Sequence, residues 1–306
     1  MSDIRLGISP LSWTNQAILD LGDDVSYDQC IREASAAGFT GVELGRKFPE
    51  SDQEILDTLG SRGLRPVSSW YSGYLAERDV EAEWPDAMVF ADRLLRLGCS
   101  VMVYGECGCG PDLGAKSPLD QRPRVDLFDL KTYAGRLTQL GKRLADRGIA
   151  LVYHHHMMQP VETSAQIDEL LTECGPEVGL LLDTGHLALA GEDYVPVMKR
   201  WWSRIDHIHL KDIRRQVISQ LDPSRDTFND GVRKGMFTVP GDGDLDFAPL
   251  ARQIAEHGWH GWLLVEAEQD PEIAEPAAMA RTAFTYLEKI LTASGVSFER
   301  NIHRVC

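Results

Sequence analysis

Four stretches of the chain carry side chains able to bind a metal or move a proton, and each follows an apolar run. LVYHHHMM supplies His154, His155 and His156, and VGLLLDTGH supplies Asp183 and His186. IDHIHLKD adds His207, His209 and Lys211, and GWLLVEAE ends in Glu266 and Glu268. Imidazole and carboxylate together suit Mn, Co, Zn or Fe better than an all-oxygen magnesium site. One bound divalent cation is the economical inference, with manganese or cobalt ahead of zinc. A lone Asp or His at a strand end is ordinarily a cap or a satisfied hydrogen bonder. Four runs with the same kind of ending weaken that reading.

Spacing limits which of these groups act together. Successive side chains of a strand point to opposite faces, so His154 and His156 share a face and His155 takes the other. A three-histidine cage is thereby rejected. The same alternation puts His207, His209 and Lys211 on one face, where a ligand beside a mobile cation suits an oxyanion site. DTGH also reads as a helix start in which Asp183 caps free backbone donors while His186 merely packs, and taken alone that reading prevails.

Short apolar runs alternate with helical patterns from end to end. Strands are expected at 4–9, 41–44, 65–70, 100–104, 150–154, 178–183, 205–210 and 261–266, with helices such as 27–37, 86–97, 130–147 and 165–172 between them. Eight such rounds imply an α/β fold, a single (β/α)8 TIM barrel, whose chemistry lies at the C-terminal ends of its strands. Glycines 38, 63, 98, 148 and 258 each stand where a helix should end before a strand, in agreement with that register. An open doubly wound sheet is the alternative, but no strand is followed by a G-x-G-x-x-G turn. One domain, 1–306, is expected, with long connections after strands four and seven, from 105 to about 125 and from 213 to about 246. Connections of that length in a compact domain are usually functional.

Composition narrows the partners. The 306 residues carry a net charge of -16, which disfavours a sequence-independent grip on nucleic acid or anionic lipid. No apolar run approaches the roughly 20 residues of a membrane span, so cytoplasmic residence is the expectation. The six cysteines lack the spacing of a disulfide framework or zinc ribbon, and Cys107–Gly108–Cys109 reads as a Gly-rich loop. A small polar substrate is the easier partner, and a homo-oligomer is compatible with the sequence.

At these residues the chain resembles the xylose isomerase-like TIM-barrel superfamily. GISPLSWTN, LVYHHH, DTGH, HLKD, KGMFTVPGDGDLDF and EAEQDP together are similar to the inosose dehydratase family, from the first strand to the last. The superfamily resemblance implies a divalent cation held by Glu, Asp, His and Glu at four strand ends. Asp183, His209 and Glu266 match three of these, and the first Glu position falls on His154, a departure from the pattern. The family resemblance implies a hydro-lyase acting on a polyol ketone, 2-keto-myo-inositol, to give a trihydroxycyclohexane-dione. It further implies manganese or cobalt and a dependence on glutathione, for which the sequence shows no motif.

From residue chemistry, a metal polarising the ketone would ease removal of the adjacent proton, and Lys211 would add positive charge at the developing anion. Candidate bases are His154, His156, Glu266 and Glu268, and the resemblance favours Glu266. His186 or His156 is the acid that protonates the departing hydroxyl. Trp13, Glu43, Trp70, Glu106 and Glu268 are expected to line a polyol pocket, although each alone reads equally well as a core aromatic or solvated acid. A sugar or inosose isomerase would need the same enolisation. The charge argues against an apurinic endonuclease, and a non-catalytic polyol-binding protein is separated by metal content and turnover.

Overall fold

The computed structural model describes residues 4–108, 116–122 and 129–303. In chain order they form β1 (Ile4–Ile8), α1 (Tyr27–Ala37), β2 (Gly41–Val42), α2 (Asp52–Gly60), β3 (Arg65–Pro66), β4 (Trp70–Gly73), α3 (Val80–Arg96) and β5 (Val101–Glu106). There follow α4 (Leu130–Ala145), β6 (Ala150–His154), α5 (Ser164–Glu173), β7 (Val178–Asp183), α6 (Thr184–Leu189), α7 (Tyr194–Trp201) and β8 (Ile205–Leu210). The last third holds β9 (Asp212–Ile213), α8 (Arg215–Ile218), α9 (Phe228–Arg233), β10 (Phe237–Thr238), α10 (Ala248–His257), β11 (Gly261–Val265) and α11 (Pro276–Ala293). The strands of the main sheet follow the order β3-β2-β1-β11-β8-β7-β6-β5-β4.

Two compact units are present. One is built from the chain up to Val67, Ile208–Gln220 and the residues from Gly231 onward. In it β1 pairs in parallel with β2 and β11, β2 with β3, and β11 with the second half of β8. Val67, Trp262 and Leu264 pack together, and the guanidinium groups of Arg5 and Arg65 lie over the Trp262 ring. The other unit, Ser68–His207 with Leu221–Asp230, carries β4, β5, β6 and β7 in parallel. Val103, Val152 and Leu181 form a core cluster there. Every residue of β7 is buried, the condition under which a parallel strand reads VGLLLD rather than alternating.

Local chemistry sets the element starts. Ser26, Ser51, Asp79 and Asp129 each cap a helix through a side-chain oxygen, and Thr163 with Gln166 forms a reciprocal capping box before α5. The five helix-ending glycines all have positive φ, for example 86° at Gly148. Three expected strands, 150–154, 178–183 and 205–210, match β6, β7 and β8 residue for residue. The run 65–70 divides instead: Val67 N–H still donates to Val42, whereas Ser69 already accepts from Val103, so the chain changes neighbours within three residues. The connection after 213 contains α8, α9 and β10, the last paired antiparallel with β9. Residues 109–115 and 123–128 of the other long connection, with Cys109, lie outside the described residues.

Candidate active site

In the second unit the end of β6 meets the end of β7. His154 Nε2 lies 3.4 Å from Asp183 Oδ2, both side chains being buried. The other Asp183 oxygen accepts the His186 N–H at 2.8 Å and caps α6. One carboxylate thus serves both readings of DTGH, a helix cap on one oxygen and a site group on the other. His155 is not idle: its Nε2 accepts the Asp183 N–H at 3.1 Å, tying the two strand ends together.

His156 lies over His186 with ring centroids 3.7 Å apart. Phe228 flanks both rings, at 5.4 and 6.1 Å. Trp70 presents its ring to His154 and His156 at 5.4 and 5.9 Å, while its indole N–H is held by Ser72. Met157 touches both imidazoles of the pair. Its carbonyl oxygen is 2.6 Å from His156 Nδ1, and its N–H donates to His186 Nδ1 at 3.3 Å. A carbonyl only accepts, so His156 carries its proton on Nδ1. His186 Nδ1 is an acceptor, so the proton of its neutral ring is on Nε2. The two rings therefore present opposite polarities at their outer nitrogens.

In the first unit, β8 and β11 end in a charged cluster. His209 Nδ1 is 2.8 Å from Glu266 Oε2, and His209 Nε2 is 3.8 Å from Glu43. Lys211 is wholly buried, its Nζ 2.6 Å from Glu266 Oε1 and 3.1 Å from Glu268, with the Phe237 ring face 4.6 Å away. The mobile cation expected at Lys211 is corrected here: two carboxylates and a ring fix it. His207, one position before this unit begins, has Nε2 3.4 Å from Ser68 Oγ.

The segment PGDGDLDF is the turn that carries the Phe237 strand back. Asp212 Oδ1 accepts the N–H groups of Ile213 and Leu245, and burial pushes this carboxyl up to about 6. A side chain at Gly243 would begin only 2.4 Å from Asp212 Oδ1, so only glycine lets that backbone approach. Phe237 and Phe228 escaped the sequence reading because nothing local distinguishes them; only the folded path brings each ring to a site group.

Two expected pocket residues have structural partners. Trp13 is wholly buried with its indole N–H donated to Glu33 at 2.7 Å, the part of a core aromatic. Glu106 is buried and accepts from the Tyr104 hydroxyl at 2.7 Å, Gly108 N–H at 2.8 Å and Ala76 N–H at 3.2 Å. Desolvation lifts its carboxyl to about 6 against the pull of these donors. A folded-state value above the unfolded one makes stability greatest below about 4.5 and lost as pH rises through 6. The wild type should therefore lose about 2 kcal/mol relative to Glu106→Gln across that window and nothing further above it. Urea denaturation of both proteins from pH 4 to 8 measures this; parallel profiles would refute it.

Among the described residues, the side chains that could serve as metal ligands are His154, His156, Asp183, His186 and His207 in one unit and Glu43, His209, Glu266 and Glu268 in the other. Neutral imidazoles and buried carboxylates at strand ends fit a divalent transition ion.

Comparison with known proteins bears on this arrangement. Residues 31–290 match the family model of the xylose isomerase-like TIM barrel. The inosose dehydratase of Lacticaseibacillus casei is 40% identical over 287 residues, 93% of this chain and 96% of that one. The chain belongs to the inosose dehydratase family. The rhizopine catabolism protein MocC of Rhizobium meliloti is 38% identical over 295 residues, 96% of this chain and 91% of the relative. Among solved structures, the probable 3-DHS dehydratase of Bacillus anthracis superimposes with a TM-score of 0.63 at 14% identity over 93% of this chain and 98% of that one, a likeness of fold alone. Membership of the inosose dehydratase family makes the chain an enzyme of the carbon–oxygen lyase class, carried on the xylose isomerase-like α/β barrel that the sequence pattern implies.

Proposed function

We propose that the chain removes water from 2-keto-myo-inositol to give a trihydroxycyclohexane-1,2-dione, in the breakdown of inositol. Two observations carry this reading: the first unit holds a buried, lysine-held carboxylate at Glu266, and the second holds a histidine pair of opposite polarity at His156 and His186. Elimination next to a ketone needs a base for the carbon acid and a proton donor for the leaving hydroxyl.

His154, Asp183, His209 and Glu266 are the groups proposed to hold the divalent cation, manganese or cobalt. Bound there, the ion would act as a Lewis acid on the substrate carbonyl. The remaining steps belong to side chains. Glu266 takes the proton from the carbon beside the ketone, with the Lys211 ammonium 2.6 Å from its other oxygen. His186 Nε2–H holds the β-hydroxyl by a hydrogen bond, and the proton taken by Glu266 passes to that hydroxyl as the carbon–oxygen bond breaks, so water leaves and the carboxylate is restored; His156 Nε2 accepts from a neighbouring hydroxyl. Trp70 offers a ring face to the carbocycle, and Glu43 and Glu268 take further hydroxyl bonds. With His154 where relatives of the superfamily carry a carboxylate, one strong base remains, which favours elimination over return of a proton from the opposite face. We place the work in the cytoplasm, where thiols such as Cys30, Cys99 and Cys174 stay reduced.

The test is direct. Purified, manganese-loaded protein given 2-keto-myo-inositol should raise ultraviolet absorbance through the conjugated enol form of the product. A chelator should abolish the rise, and manganese or cobalt should restore it. Added glutathione, present or withheld, shows whether the thiol takes part. An isomerase would convert the substrate with no absorbance change, and a polyol-binding protein would leave it intact; either result sinks the proposal.

A further inference from the structure

The turn after β6 contains a strained residue and a buried acid that the chemistry above does not use. Met158 has φ 66°, the only positive value among described residues other than glycine. An unbranched side chain in this region is uncommon and persists only where surroundings enforce it. The enforcing group is Glu162: its Oε2 accepts the Met158 N–H at 3.0 Å, and its Oε1 accepts from Arg122 at 2.9 Å. Both Met158 and Glu162 are buried. The turn is closed on its other side by the His156 N–H, which donates to Val161, and by Gln159 N–H, which donates to His156.

Glu162 is not needed to start the next helix, because Thr163 and Gln166 already complete the cap of α5. Its reach runs the other way along the chain. The residue before Met158 is Met157, whose carbonyl and N–H contact His156 Nδ1 and His186 Nδ1. Rotation about the Met157–Met158 link would turn that carbonyl away from His156. We propose that Glu162 is a positioning residue: by holding Met158 in its left-handed conformation it fixes Met157, which in turn fixes the proton on Nδ1 of His156 and on Nε2 of His186. This rests on the reading of His186 Nε2–H as the hydrogen-bond donor to the leaving hydroxyl, and the clamp itself is measured independently of it.

Four variants and two readouts test the clamp. Imidazole nitrogen shifts by NMR report which nitrogen of each histidine carries the proton, and steady-state kinetics on 2-keto-myo-inositol report turnover. Glu162→Ala should mix the tautomers of His156 and His186 and lower kcat by about a hundredfold, with KM and bound manganese little changed. Glu162→Gln keeps an acceptor for the Met158 N–H and should keep the wild-type tautomers and most of kcat. Glu162→Asp keeps the charge for Arg122 but falls short of Met158, so it should lose kcat in a protein that still folds. Adding Met158→Gly to Glu162→Ala should recover part of the loss, because glycine takes positive φ without strain. Unchanged imidazole nitrogens in both Glu162→Ala and Glu162→Asp would overturn the clamp. Mixed tautomers with undiminished kcat would overturn its catalytic role and, with it, the assignment of His186.

Discussion

Glu266→Gln is expected to abolish turnover, lowering kcat by at least about a thousandfold, since it removes the proposed base and a proposed metal ligand in one step. The substitution is nearly isosteric, so what changes is charge. Lys211 is wholly buried and divides its ammonium between Glu266 and Glu268. With Gln at 266 the ammonium keeps Glu268 but loses one carboxylate, and His209 loses the carboxylate 2.8 Å from its Nδ1. Breaking a buried ion pair by removing one partner costs about 3–5 kcal/mol, and the surviving Glu268 should hold the loss below that range. The variant should therefore remain folded at 25 °C with a lowered Tm and with manganese reduced below one per chain by elemental analysis. A variant saturated with manganese and fully active would remove Glu266 from the mechanism.

The polar strand ends were legible because their strands are legible. Two-sided burial in a parallel sheet gives unbroken apolar runs, so β6 and β7 end where the sequence turns polar, at His154 and Asp183. Alternation along a strand sends His155 away from its neighbours only while the pleat lasts, and β6 ends at His154. What His155 does there was not legible: its bond to the Asp183 N–H joins residues 28 apart, and no local pattern encodes it. The state of Lys211 was misread for a related reason. Sequence shows a lysine near two glutamates along different strands, but only the fold shows both carboxylates and the Phe237 ring closed around one ammonium. The partition of 65–70 between β3 and β4 likewise follows from a change of pairing partner, not from propensity.

Asp183 offers the second large effect and a way to separate two duties of one carboxylate. Its Oδ1 caps α6 through the His186 N–H, and its Oδ2 faces His154. Asparagine caps helices about as well as aspartate, so Asp183→Asn should keep α6 in place and cost little stability. The lost charge acts only on the metal side, where affinity for manganese should fall at least tenfold to a hundredfold and kcat with it. Alanine removes both duties. Asp183→Ala should lose metal similarly and a further ~1 kcal/mol of stability through the missing cap. The cap also holds the His186 N–H in the first turn of α6, so Asp183→Ala should remain slower than Asp183→Asn even when both are saturated with manganese. Manganese titration by calorimetry and urea denaturation of the metal-free proteins measure the two terms separately. If Asp183→Asn binds manganese as tightly as the wild type, Asp183 is a structural cap alone, and the proposed ligand set loses its β7 member.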